Sequence, residues 1–164
     1  MSGFVLADFS LYNISLWLHV SAAVVGLGAT FALSVGFPLA LKLDPRHLPF
    51  VHHLSMDVNR KLASPALLLL VVTGIYQGVD AKVMDEPWIG ITFAIAIVLG
   101  GLQGAYFVPT DKKLAALAEK ELADGSTTLS EDYQRQAQRE GGIGALAGLL
   151  IIVAVFLMVI KPGG

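Results

Sequence analysis

The chain has 164 residues, a formal net charge of −2, 55% hydrophobic and 15% charged residues, and a mean hydropathy of +0.69. Soluble domains run near 45–50% apolar and about 25% charged, so this composition suits a surface facing hydrocarbon, and the near-neutral charge gives no footprint for nucleic acid. The absence of cysteine excludes disulfides, zinc–thiolate sites, iron–sulfur clusters and thiol nucleophiles.

The opening Met1–Asp8 segment carries no basic residue, so it lacks the n-region of a secretory signal, and the first apolar stretch reads as a mature membrane helix. That stretch covers residues 12–41. Residues 44–60 read as a short interfacial segment broken by Pro45 and Pro49. A second span covers 62–79, with Ser64 as a cap before Pro65; the alternative is a helix that starts near Pro49 and kinks at Pro65. The third span covers 87–108, and Leu114, Leu117, Ala118 and Leu122 continue its helical spacing beyond the bilayer. The 124–128 stretch is a turn, Ser130 opens the last helix, and the fourth span covers 141–160.

Each span is near or above the roughly 20 residues needed to cross a ~30 Å hydrocarbon core. The expected fold is an all-α integral-membrane four-helix bundle forming one domain over residues 1–164. Nine of the eleven Lys and Arg residues lie in the 41–61 and 110–140 connections, and only Lys82 and Lys161 lie on the other side. The positive-inside rule makes the basic side cytoplasmic and both termini outward, with Trp17 and Trp88 near the outer interface. Small residues recur every four positions at Ala22, Gly26 and Thr30, at Ala96, Gly100 and Gly104, and at Gly144 and Gly148. They predict close helix contact, with room for a flat cofactor as the alternative. Gln103, Thr73 and Gln77 are read as interhelical hydrogen-bond partners.

His19 is the one histidine inside a span, about seven residues or roughly 10 Å from its start. Ala22, Ala23 and Gly26 share its helix face. This pattern suits an axial ligand whose macrocycle lies against small side chains. It suits equally a histidine hydrogen-bonded across a tight helix contact. His47, His52 and His53 lie on the basic side; adjacent His52 and His53 point about 100° apart on a helix, which makes them a weaker metal pair. Paired intramembrane carboxylates, a phosphate loop and a serine nucleophile with a basic partner are not evident.

The residues Leu18-His19-Val20, Val24-Val25-Gly26-Leu27-Gly28, Met56-Asp57-x-Asn59-Arg60-Lys61-Leu62 and Thr73-Gly74 resemble a superfamily of small bacterial four-span proteins. It includes an uncharacterised predicted integral-membrane family, the membrane domain of copper-resistance D proteins, and bacterial membrane protoporphyrinogen oxidase. Pro109 and Lys113-Leu114 look most like the uncharacterised branch. The resemblance implies a bacterial inner-membrane bundle in which His19 matches a histidine linked in some members to b-type haem. Thr92 stands where the oxidase branch has lysine, which argues against that oxidase reaction, and few methionines and histidines face outward for copper import.

The function expected is haem b binding through His19, with a role in electron transfer, redox chemistry or haem handling. The rivals are a cofactor-free scaffold or assembly subunit and a small-solute or metal permease. Expected partners are the lipid bilayer and a second copy or a membrane complex, with no nucleic acid.

Overall fold

Four long helices dominate the computed structural model, which describes residues 10–163; Met1–Asp8, read above for a leader, lies outside them. Helix α1 is Leu11–Ala40, α2 is Pro45–Asp80, α3 is Pro87–Ala123 and α4 is Glu131–Ile160. All four are long and apolar enough to cross a membrane, and no strand occurs among the described residues. Residues at the helix starts explain the boundaries. Ser10 accepts from Asn13 N–H, Asp44 from Arg46 N–H and Ser130 from Tyr133 N–H, which satisfies donors that each first turn leaves free. The Arg46 guanidinium and backbone amide beside Asp44 hold its carboxyl below the usual carboxylate range.

The second helix begins earlier than residue 62. Pro45 opens a 3₁₀ turn and Pro49 sits at the start of Leu48–Val58, positions where a missing N–H costs nothing. The stretch 45–60 is therefore helical, and the alternative of an early start near Pro49 is the better description. The third helix continues to Ala123 and the fourth starts at Glu131, as the spacing of Leu114 to Leu122 and the Ser130 cap predict.

Helix α1 packs against α2 and α4, and α3 packs against α2 and α4. The bundle thus has a basic end, at the 41–44 and 124–130 turns, and a terminal end, where the chain starts and finishes. Large apolar side chains such as Val24, Ile97 and Val159 point outward, as lipid contact requires. The main core fills the terminal half around Leu70, Ile95, Leu99 and Ile151, and a smaller cluster of Leu48, Leu114, Ala118, Tyr133 and Ala137 fills the basic end. Trp17 is exposed, whereas Trp88, in the first turn of its helix at the terminal end, is buried against the main core with Lys161 Nζ 6.0 Å from its ring centroid.

Three helices carry a π turn: Ala23–Leu27 in α1, Asn59–Ala63 in α2 and Leu102–Phe107 in α3. Those of α1 and α2 touch each other, and Gln103 in the third donates to Thr30 Oγ1 at 3.4 Å. A π turn holds an extra residue and loosens the backbone ladder; Thr30 Oγ1 donates to Gly26 O at 3.0 Å beside the first of them. The glycine pattern is partly corrected. A Cβ at Gly26 would overlap that of Ala66, and one at Gly148 would lie 2.9 Å from Ser34 Oγ, so both glycines sit in helix contacts. Gly104 is exposed, and a Cβ there would meet nothing within 4 Å among the described residues.

Candidate metal centre

Three helices place one ionisable side chain each in the middle of the basic half. In α2 the buried positions Leu48, His52 and Ser55 recur at helical spacing, so His52 turns inward with its apolar neighbours. In α3 Asp111 shares a face with buried Leu114, Ala115 and Ala118. In α4 Glu140 follows Tyr133 and Ala137 on the buried face. His52 and Asp111 are 0% exposed and Glu140 is 3% exposed, and a burial so complete is costly for charged groups unless they are paired.

His52 Nδ1 lies 2.8 Å from Asp111 Oδ1 and 3.9 Å from Glu140 Oε2. On the other side of the ring, Nε2 lies 2.8 Å from the Tyr133 hydroxyl. Phe37 packs edge-on to the imidazole at 5.2 Å between centroids, which fixes the ring plane. One nitrogen or oxygen from each of His52, Asp111 and Glu140 fits within 4.8 Å of the others.

The contacts are incomplete in an informative way. Asp111 Oδ2 and Glu140 Oε2 are buried with no hydrogen-bond partner among the described residues. No lysine or arginine forms an ion pair with either carboxylate among those residues. Buried polar atoms in folded proteins nearly always have a partner. A proton shared between the two carboxyls, or a cation among the three side chains, would meet the need. One imidazole and two carboxylates form a mixed nitrogen–oxygen donor set suited to Mn²⁺, Fe²⁺, Co²⁺ or Zn²⁺. The Tyr133 hydroxyl oxygen is then placed to accept a hydrogen bond from Nε2–H and leave the Nδ1 lone pair for the metal, the orienting role that a ligating histidine needs.

The other histidines stand elsewhere. His53 is exposed and lies 2.9 Å from Glu119, so the His52–His53 pair does not converge. His47 is exposed in the 3₁₀ turn. His19 is half-buried, with Nδ1 2.8 Å from Thr73 Oγ1, in the contact of α1 with α2. Ala22 is buried, and Gly26 lies against Ala66 of α2, so those two members of the small-residue strip are covered by a helix; Ala23 is half-buried. Gln77 Nε2 donates to Ser15 O and Oγ, each at 3.2 Å, so the polar residues at apolar depth do bridge helices.

Sequence reading missed Asp111 and Glu140 because both fall just outside the apolar spans, where they look solvated. Their helical phase was the available signal: each lies on the buried stripe of its own helix.

No curated protein and no solved structure matches the chain. A family model does match, over residues 13–162, and its description is predicted integral membrane protein (DUF2269). Nearly the whole bundle, including both ends of the His52–Asp111–Glu140 cluster, lies inside that match, and the chain belongs to this family of integral membrane proteins.

Proposed function

We propose that the protein is a bacterial inner-membrane metalloprotein that holds a divalent first-row metal ion between His52, Asp111 and Glu140, on the cytoplasmic side. The observation that carries this reading is the pair of buried, unpartnered carboxylate oxygens beside an imidazole nitrogen. Bound there, the ion would supply Lewis-acid or one-electron chemistry, depending on the metal. The chain's own groups hold it: His52 supplies Nδ1, Asp111 and Glu140 supply charge, and Tyr133 orients the ring. Purified protein stripped with chelator should bind about one Mn²⁺, Fe²⁺, Co²⁺ or Zn²⁺ per chain, and Asp111→Asn or Glu140→Gln should weaken binding at least tenfold. Wild-type protein that folds and binds none of the four would defeat the proposal.

Haem b held by His19 is a second reading, favoured by one contact. Thr73 Oγ1 donates its own proton to Leu69 O at 2.6 Å, so His19 Nδ1 donates to Thr73 and the lone pair rests on Nε2. An axial ligand needs that tautomer. The Ala22–Gly26 part of the strip does not fit a macrocycle, since α2 covers it; the remaining room is on the half-buried Ala23 side. A Soret band lost in His19→Ala and kept in His52→Ala would support this reading.

A further inference from the structure

On the basic side, buried side chains separate the cluster from a larger cavity of about 700 Å³ that Leu48, Tyr133 and Ala137 help to line. Leu48, Leu114, Ala118, Tyr133 and Ala137 lie one or two turns nearer that end on the same three helices, and they pack together as an apolar plug. On the inner side the surroundings change. A cavity of about 30 Å³ reaches Glu140 there, with Thr30, Ser34, Ser55 and Asn59 among its lining residues. That volume holds about two waters, at roughly 10–15 Å³ each, and water enters cavities that are polar as well as roomy. The lining surface is mostly apolar, with Leu33, Phe37, Phe107 and Ala147 contributing to it, and three hydroxyls, a carboxamide and a carboxylate are set among them as the polar partners a water needs. Gln103, whose Oε1 is buried without a partner among the described residues, donates to Thr30 on the same side. Ser55 is one helical turn inward of His52, and Phe37 touches both the cavity and the imidazole.

We infer that this cavity is the open coordination side of the centre: water, and small exogenous ligands of similar size, reach the metal through it past Glu140. The inference rests on the metal reading and adds that the centre is reactive in type. Three protein ligands leave positions unfilled, whereas a structural site closes its shell with side chains. The buried plug separates the centre from the basic end, and the small cavity, mostly apolar with Glu140 and a few hydroxyls in its wall, has room for a few molecules on the other side. Any substrate is therefore small and polar, or presents a small polar group at the cavity.

Cobalt supplies the test, because its visible bands report coordination. The full-length protein in detergent is loaded with Co²⁺ and titrated with azide. The expected result is one Co²⁺ per chain and bands that shift with azide. Gly144→Val should fill the cavity, since a Cβ at Gly144 meets only Ser34 Cα, at 3.9 Å. That variant should keep its Co²⁺ and lose azide affinity at least tenfold. Ser55→Val is the second filler and should act alike. The chain has no native cysteine, so Ser55→Cys also gives a clean accessibility probe, expected to react with a small methanethiosulfonate reagent in the folded protein. Stoichiometric Co²⁺ with bands indifferent to azide and an unreactive Ser55→Cys would overturn the open-site inference and leave the metal reading standing. Azide binding unchanged in both fillers would also overturn it. Failure to bind Co²⁺ would overturn both.

Discussion

Tyr133 separates a metal centre from a buried hydrogen-bond network at the level of one atom. Its hydroxyl touches His52 Nε2, on the side of the ring away from the carboxylates. Tyr133→Phe keeps the aromatic packing and removes only the orienting group. Losing such a partner typically costs 10–100-fold in metal affinity, so chelator competition should show a loss of that size, while the Nε2–H left buried without a partner should lower stability by about 1–3 kcal/mol. His53→Ala should leave metal affinity unchanged, since that side chain pairs with Glu119 in the open. Metal must displace protons from the site, so binding should weaken as pH falls, and the same competition read at two pH values checks the sign. Of the cluster, only His52 was singled out from sequence, as half of a weaker metal alternative with His53, whose side chain points about 100° away. Its partners come from helices 59 and 88 positions away in the chain, and only bundle packing brings them together.

Among the elements, the four helices were the most readable feature, because long apolar runs and caps are local signals. The π turns were not readable, since one extra residue in the backbone ladder leaves the apolar composition of a span unchanged. The start of α2 was misjudged because proline breaks a helix interior but suits a first turn. The repeated small residues gave the right idea without the right members. Gly26→Leu and Gly148→Leu should each destabilise the fold by about 1–3 kcal/mol, the usual range for overpacking, seen as lower melting temperatures in detergent. Gly104→Leu should melt like wild type, because its Cβ would enter open space. Equal melting for all three variants would contradict the helix contacts described. Ser130→Ala should cost about 1 kcal/mol through the lost cap.

For the whole molecule, the charge asymmetry predicts the orientation. The nine basic residues of the 41–61 and 110–140 connections gather at the end that holds the His52–Asp111–Glu140 cluster, and the positive-inside rule predicts a cytoplasmic location for that end. A reporter fused at Gly125 should read cytoplasmic, and one fused after the last residue should read outward. Matching readouts would contradict four crossings. The centre, the plug and the cavity then form a layered basic half over an apolar terminal half, a division that no single stretch of sequence announces. X-ray absorption at the edge of the metal in the loaded full-length protein addresses this arrangement most directly. The first shell should contain only nitrogen and oxygen, with the scattering signature of one imidazole, and that imidazole signature should vanish in His52→Ala. A porphyrin signature that survives His52→Ala, or a sulfur neighbour from methionine, would place the metal elsewhere and contradict the centre at His52, Asp111 and Glu140.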